Sequence, residues 1–194
     1  MIKEILLASH NAHKVKEIKE LLPAPYKLLS LADINWDTDI PEPFETYDEN
    51  AKEKAFFIFK RTGIPCFADD SGLEIDELEG RPGVRSARYS GDGKSTHDNI
   101  KKVLFELSNA TNRSAAFYTV IAYVKSDHEM NFFRGIVYGQ ITFSPVGDSG
   151  FGYDPIFIPD GFDKTFGELD ETLKNRISHR AKAMEKFISF LEKS

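Results

Sequence analysis

The sequence predicts an α/β fold, with a central twisted mixed β-sheet flanked by helices, on three observations. Short apolar runs alternate with amphipathic segments through the first half of the chain, which is typical of strand–helix units. Two long apolar stretches, 114–125 and 130–143, then predict a hairpin that turns at Asp127-His128. A last amphipathic helix begins at Ser178, which we expect to cap it.

Apolar spacing and turn residues define the other elements. The predicted elements of the first half are a strand at 5–8, a helix ended by Pro23, a strand at 26–29, a loop at 33–48, a helix at 49–61 and a strand at 64–68. Ser71-Gly72 predicts a turn after this strand, and 73–76 predicts a short separate strand. The second half adds a helix at 95–108 and a Gly-rich loop at 146–153. No repeat or linker interrupts the 194 residues, so we expect one domain over 1–194.

Composition narrows the class of protein. The chain is 41% hydrophobic and 29% charged, as in ordinary globular proteins, and its net charge of -6 argues against broad nucleic-acid binding. The single cysteine, Cys66, excludes an internal disulfide framework, and we expect it to lie in the core. No stretch approaches the roughly 20 apolar residues that span a membrane. We therefore expect a cytoplasmic protein without a membrane partner.

Asp69 and Asp70 are the first candidates for chemistry, because they follow an apolar strand. Neighbouring side chains in a strand point to opposite faces, so both acids cannot share one core face. Buried carboxylates need a divalent metal, a basic group or backbone N–H groups as compensation. With Glu45 and Glu49, the pair could supply Mg²⁺ ligands and a proton acceptor for water. An Asx-turn for the pair, and helix capping for the two Glu, are the structural alternatives.

Three further motifs point to an anionic, aromatic ligand. Ser9–Lys14 opens a helix, where backbone N–H groups and a lysine favour an anion. In Gly150–Pro155 the aromatic residues could stack on a base, and Asp154 could accept hydrogen bonds from its edge. Lys174 and the His179-Arg180 pair place positive charge near the start of the last helix, which a bound anion would compensate. A simple cap, a Gly-rich turn and a solvated helix start are the respective alternatives.

Taken together, the motifs resemble the inosine/xanthosine triphosphate pyrophosphatases, over nearly the whole chain. The matching stretches are Ser9-x-Asn11-x-x-Lys14, Glu49-Asn50-Ala51-x-x-Lys54-Ala55, Ala68–Leu73, Gly80–Tyr89, Gly150–Pro155 and Ile177–Arg180. The resemblance implies an elongated two-lobed α/β fold with an active-site cleft between the lobes, and a homodimer. It also implies Mg²⁺-dependent hydrolysis of ITP, dITP and XTP to a nucleoside monophosphate and pyrophosphate, which cleanses the nucleotide pool.

The resemblance assigns roles by position. Asp70 would be the general base and a metal ligand. The residues assigned to substrate are Ser9, His10, Asn11, Ala12, His13, Lys14, Lys54, Ser71, Phe151, Gly152, Tyr153, Asp154, Lys174, His179 and Arg180. The second metal ligand is Glu45, with Glu42 as the alternative, because the chain has one acid fewer than the family pattern there.

Two other functions compete with this hypothesis. A pyrophosphatase for modified pyrimidine nucleotides would use similar chemistry, but Asn11 and Lys14 depart from the first motif of that family. A nucleotide-binding or RNA-end-binding module would not need an acid pair at a scissile phosphate, and the net charge opposes it.

Overall fold

A computed structural model describes residues 2–93 and 95–193 of the chain. The strands are β1 (Lys3–Leu7), β2 (Tyr26–Ser30), β3 (Cys66–Ile75), β4 (Ser114–Ser126), β5 (Glu129–Ile141) and β6 (Phe157–Pro159). The helices are α1 (Ala12–Leu21), α2 (Tyr47–Thr62), α3 (Thr96–Glu106), α4 (Glu171–Ile177) and α5 (His179–Glu192). Short 3₁₀ turns lie at Ala32–Ile34, Asp76–Leu78, Gly83–Arg88 and Asp154–Ile156.

The six strands form one mixed sheet, which confirms the predicted α/β class. Their order is β2-β1-β3-β4-β5-β6. β1 runs parallel to both β2 and β3, whereas β5 and β6 are antiparallel. Two residues join β4 to β5, and a connection that short requires neighbouring strands to run antiparallel.

The chain forms two compact units. Unit 1 consists of Met1–Asp70, Thr119–Arg134 and Ala183–Ser194, and unit 2 of Ser71–Tyr118 and Gly135–Lys182. Unit 2 has one apolar core, which includes Leu73, Ile75, Val103, Phe117, Val137, Phe157 and Phe166.

Unit 1 buries apolar side chains on both faces of its strands. The core on the α2 side includes Leu6, Ala8, Ala51, Ala55, Ile58, Cys66, Ala68 and Ala122. The core on the α1 side includes Ile5, Leu7, Ile18, Phe67, Ile121, Met184 and Phe187. Within unit 1, odd-numbered residues of β1 and β3 therefore face α1 and α5, and even-numbered ones face α2, as strand alternation requires.

Local signals set most helix ends as predicted. The Asn11 side chain accepts hydrogen bonds from two backbone N–H groups at the start of α1. The second helix starts at Tyr47, two residues before its predicted start, and the Thr46 hydroxyl caps it by accepting from the Glu49 N–H. Gly63 ends α2 at a φ of 68°. The Ser178 hydroxyl accepts from the Ala181 N–H, which confirms the predicted cap of the last helix.

β3 differs from the prediction, because Ser71-Gly72 is not a turn. The strand is continuous over ten residues, from Cys66 through the Asp pair to Ile75. Beyond Gly72, both Leu73 and Ile75 are fully buried in the unit 2 core. Extended backbone is open to Ser and Gly alike, so the burial of the residues that follow outweighs their turn preference.

Shorter elements were absent from the prediction. The 3₁₀ turn at Ala32–Ile34, the helix α4 and the strand β6 have between three and seven residues. Segments this short are below the length at which hydrophobic periodicity separates helix from strand. In the described part of the chain, no helix combines the length and apolarity needed to cross a membrane.

The core on the α1 side of unit 1 centres on Phe187, which predicts a large loss of stability in Phe187→Ala. Its ring lies 5.0 Å from that of Phe67 and 5.2 Å from those of Tyr123 and Phe133. Truncation should lower the free energy of unfolding by about 3–5 kcal/mol, measured by urea denaturation. Phe105 is 79% exposed and is the matched control. Phe105→Ala should change stability by less than about 0.5 kcal/mol, and equal losses in both variants would contradict this packing.

Candidate functional site

β3 presents its two adjacent carboxylates on opposite faces. Asp69 follows the odd-numbered register of Phe67 toward α1, and Asp70 follows Ala68 toward α2. Both are buried, at 1% and 7% relative exposure. Each carboxylate therefore needs a cation on its own side of the strand.

Lys14 of α1 supplies the cation for Asp69. Its Nζ lies 2.8 Å from Asp69 Oδ2, and the carboxylate side chain is fully shielded from solvent. Lys14 is the third residue of α1, so the helix start holds this ammonium at the end of the loop that follows β1.

Lys54 of α2 supplies the cation for Asp70 and for a second acid. Its Nζ lies 3.2 Å from Asp70 Oδ1 and 2.5 Å from Glu42 Oε1. Burial lowers the pKa of Lys54, but the neighbouring carboxylates, Asp70 first, outweigh burial and raise it above its ordinary value. Lys54 therefore stays protonated while it joins the two acids.

Burial has the opposite consequence for Asp70. It raises the pKa of this carboxyl group, while the charges of Lys54 and Lys14 oppose the change and that of Glu42 adds to it. The pKa of Asp70 remains above its ordinary value of 3.8. A carboxylate with a raised pKa is a better proton acceptor than an exposed one.

Asn50 is a further member of this site, and no role is predicted for it from the sequence alone. Its Nδ2 donates to Phe44 O at 2.9 Å and to Asp70 Oδ2 at 3.4 Å, and its Oδ1 accepts from Phe44 N–H at 3.0 Å. We call Lys14, Glu42, Asn50, Lys54, Asp69 and Asp70 the acid–lysine cluster. The spacing of Asn50 four residues before Lys54 was the available signal, because such residues share one helix face.

The predicted anion-binding loop lies directly before α1. Asn11 Oδ1 accepts from the N–H groups of His13 and Lys14 at 3.0 and 3.2 Å, while Ser9 Oγ accepts from Asn11 N–H. Ala12 is the first helical residue. A ring nitrogen of His10 lies 3.1 Å from Thr38 O, so this side chain is engaged with backbone. A helix cap was the alternative interpretation of this motif to an anion site. The structure contains that cap, and the same helix start carries Lys14.

The acidic residues before α2 have different surroundings. Glu42 lies in the acid–lysine cluster, whereas the Glu45 side chain is exposed. Glu49 forms the capping contact that was its alternative, because Thr46 Oγ1 donates to Glu49 Oε2 at 2.7 Å. Glu45 is the predicted metal ligand and Glu42 its alternative. Of the two, Glu42 is the one that shares the Lys54 ammonium with Asp70.

Unit 2 contains a second cluster of predicted residues, around Phe151. Lys174 Nζ donates to Asp154 Oδ2 at 2.7 Å and lies 4.8 Å from the centre of the Phe151 ring. The Arg180 guanidinium lies 5.3 Å from the same ring. We call Phe151, Asp154, Lys174 and Arg180 the aromatic–cation cluster. It combines an aromatic face with two cations and a buried carboxylate.

Asp154 has structural contacts within this cluster. Its Oδ2 also accepts from Phe151 N–H at 2.7 Å, which closes the turn. Gly150 has a φ of 80°, and a Cβ there would lie 2.2 Å from the Asp154 carboxylate. Burial raises the pKa of Asp154, and Lys174 opposes this change. The Gly-rich loop is therefore built around this carboxylate.

The other predicted residues of unit 2 differ in exposure. Tyr153 is buried, and its hydroxyl donates to Ser86 O at 2.8 Å, so Phe151 is the aromatic residue beside the cations. Gly152, between Phe151 and Tyr153 in the chain, has a φ of 61°. The buried His179 ring stacks on Phe117 at 4.6 Å and 8°. Ser71 is half-buried in β3.

The acid–lysine cluster fits a magnesium ion by the chemistry of its donors. Mg²⁺ typically takes one or two carboxylates and completes its ligands with water and phosphate oxygens. Residues 2–93 and 95–193 contain no group of three or more His, Cys, Asp or Glu side chains arranged to hold a metal. Asp70 and Glu42, which share the Lys54 ammonium, supply the two carboxylates that this mode of binding needs.

Comparison with known proteins gives one consistent family. The model of the Ham1 family matches residues 5–190. The dITP/XTP pyrophosphatase of Flavobacterium johnsoniae is 47% identical over 188 residues, or 97% of each chain. The solved Ham1 protein of Staphylococcus aureus is 41% identical with a TM-score of 0.91, over 98% of this chain and 99% of that one. A HAM1 protein from Coxiella burnetii is 40% identical with a TM-score of 0.92, over 100% of both chains.

The contacts of Asp70 predict how its pKa responds to Lys54→Met. In the metal-free protein, Asp70 should titrate above 3.8 because burial disfavours its charged form. Loss of the Lys54 charge should move the pKa further up, as followed by carbon NMR of the carboxyl group. Stability contributed by a raised carboxyl pKa is lost as the pH rises through it, so the variant should lose stability toward neutral pH.

Lys60→Met is the matched control for this titration. Lys60 lies on the same helix, but it pairs at the surface with Asp127 at 2.7 Å. Its removal should leave the pKa of Asp70 unchanged. An Asp70 that titrates at or below 3.8, or that responds equally to both variants, would contradict the described electrostatics.

Proposed function

The chain belongs to the Ham1 family, and on that premise we propose that it hydrolyses non-standard purine nucleoside triphosphates, namely dITP, XTP and ITP. Cleavage between the α and β phosphates would give a nucleoside monophosphate and pyrophosphate. The observation that carries the proposal is Asp70, a buried carboxylate with a raised pKa between an amide and an ammonium group.

Asp70 would act as the general base. Hydrolysis needs a water whose proton is accepted as its oxygen attacks phosphorus, and a carboxylate with a raised pKa accepts protons more readily near neutral pH. Asn50 and Lys54 hold the two Asp70 oxygens by separate contacts, which fixes the orientation of the carboxylate. Ser71, next in β3, would contact substrate beside it.

Positive charge for the phosphates would come from the start of α1 and from the lysines. Ser9–Lys14 would hold the triphosphate at the helix N-terminus, where backbone N–H groups favour anions. Lys14 and Lys54 now neutralise Asp69 and Asp70, and would offset part of the phosphate charge. The net charge of -6 is no obstacle, because these cations act locally.

Magnesium would be held by Asp70 and Glu42. When bound, the ion would neutralise phosphate charge and align the phosphate oxygens. We prefer Glu42 to Glu45 because Glu42 already shares Lys54 with Asp70, while Glu45 is exposed.

The aromatic–cation cluster would bind the purine. Phe151 offers the ring for stacking, and the buried Lys174 and Arg180 are donors for the 6-keto oxygen of hypoxanthine or xanthine. Adenine carries an amino group at that position, so a buried donor would be left unpaired. Such a loss costs about 1–3 kcal/mol, which favours keto purines.

The remaining parts of the proposal follow the family resemblance. Removal of non-standard purines from the nucleotide pool is a cytoplasmic task, and the enzyme would act as a homodimer without a nucleic-acid partner. Residues 1–194 would together form one catalytic domain.

The reaction is tested with purified protein, Mg²⁺ and a panel of ITP, dITP, XTP, dUTP, ATP and GTP. We expect pyrophosphate from the first three, with ATP turned over at least about tenfold more slowly for the unpaired-donor reason. GTP carries the same 6-keto oxygen, so it tests whether contacts other than this donor exclude a standard purine. Pyrophosphate and orthophosphate are measured separately. Release of orthophosphate alone would exclude α–β cleavage, and preference for dUTP would favour the pyrimidine alternative.

Asp70→Asn tests the base in the same assay. It keeps the side chain's shape but cannot accept the proton, so kcat should fall by about 100-fold or more with the fold retained. Asp127→Asn, at the exposed pair with Lys60, is the matched control and should keep full activity. Near-normal turnover in Asp70→Asn would remove Asp70 from this role.

Glu42→Gln and Glu45→Gln separate the two candidate metal ligands. Glu42→Gln should raise the Mg²⁺ concentration for half-maximal activity by on the order of 10-fold, because a ligand is lost. Glu45→Gln should change it little. The reverse result would identify Glu45 as the ligand.

A further inference from the structure

Asn50 connects the acidic segment before α2 to Asp70. Its side-chain amide pairs with both the N–H and the C=O of Phe44, at 3.0 and 2.9 Å. Its Nδ2 also donates to Asp70 Oδ2 at 3.4 Å. The residue is 1% exposed, so its amide is removed from water and depends on these partners.

The acidic segment before α2, residues 41–46, buries few apolar side chains. Residues 41 and 43–46 are exposed, and Phe44 itself retains 40% of its accessible surface. Polar contacts from one face of α2 hold this stretch instead. Asn50 binds the Phe44 backbone, and Lys54, one turn later, binds the Glu42 carboxylate.

We propose that Asn50 is a positioning residue, which sets the place of the segment carrying Glu42 relative to Asp70. The inference rests on the proposed function, in which these two carboxylates act together. Lys54 attracts the carboxylates of Glu42 and Asp70 by charge, and such attraction sets their distance from the ammonium more than their orientation. The planar amide of Asn50 adds direction, because it accepts from the Phe44 N–H and donates to the Phe44 C=O while it also donates to Asp70.

Asn99 provides a closely matched control. Each asparagine is the fourth residue of its helix and follows a capping Thr or Ser, and each is buried. Asn99 also binds backbone on both sides, accepting from Ser90 N–H and donating to Ala87 O, but within unit 2. The two residues thus share a structural task, and only Asn50 contacts the proposed base.

The experiment compares Asn50→Ala, Asn50→Asp and Asn99→Ala in the full chain. In Asn50→Ala the Phe44 amide should exchange with solvent about 5-fold faster or more, since its buried acceptor is lost. The Mg²⁺ midpoint should rise, and kcat should fall by about 10- to 100-fold with a smaller change in KM, as expected from misplaced groups. Mg²⁺ binding is also measured directly, by calorimetry without nucleotide.

Asn50→Asp separates anchoring from catalysis. Its carboxylate can still accept from Phe44 N–H, so exchange there should stay slow, but it cannot donate to Asp70, so kcat should still fall. Asn99→Ala should lose thermal stability comparably while keeping slow Phe44 exchange and the wild-type Mg²⁺ midpoint.

Unchanged Phe44 exchange and unchanged Mg²⁺ binding in Asn50→Ala would overturn the inference. So would equal shifts of the Mg²⁺ midpoint in Asn50→Ala and Asn99→Ala. Should the wild-type protein fail to hydrolyse the triphosphates, the proposed function falls, while amide exchange and calorimetry still decide the role of Asn50.

Discussion

The burial of two consecutive carboxylates in β3 is the constraint on which unit 1 depends. A strand sends Asp69 and Asp70 to opposite faces, so one cation cannot serve both. A lysine from a different helix therefore pairs with the acid on each side, Lys14 of α1 with Asp69 and Lys54 of α2 with Asp70. The same helices bury the apolar clusters on those faces, so core packing and charge compensation are set by one register.

Compensation of a buried acid also organises the aromatic–cation cluster of unit 2. Asp154 is held by Lys174 and by the backbone of its own turn, and Gly150 leaves room for the carboxylate. Breaking such a pair strands a buried charge, which is far more costly than losing a surface pair. Both clusters therefore hold buried carboxylates at short distances from buried or partly buried cations.

Local sequence signals predicted the elements that they control. Asn11 and Ser178 cap helices because a side-chain oxygen near a free N–H group needs no tertiary partner. The same reasoning failed at Ser71-Gly72, where burial of Leu73 and Ile75 keeps the strand extended. It also could not show which of Glu42 and Glu45 shares a lysine with Asp70, because both are acids in an irregular segment with no periodicity to indicate the direction of a side chain.

By itself, the sequence determined the α/β class, the major elements and the opposite orientation of Asp69 and Asp70. These follow from the alternation of side chains along a strand and from apolar periodicity along helices. Only the tertiary structure decided which cation meets which acid, that Glu42 shares Lys54 with Asp70, and that Asn50 donates to Asp70. The reason is physical: these contacts join residues 12 to 55 positions apart, and only the packing of the helices against β3 determines their distances.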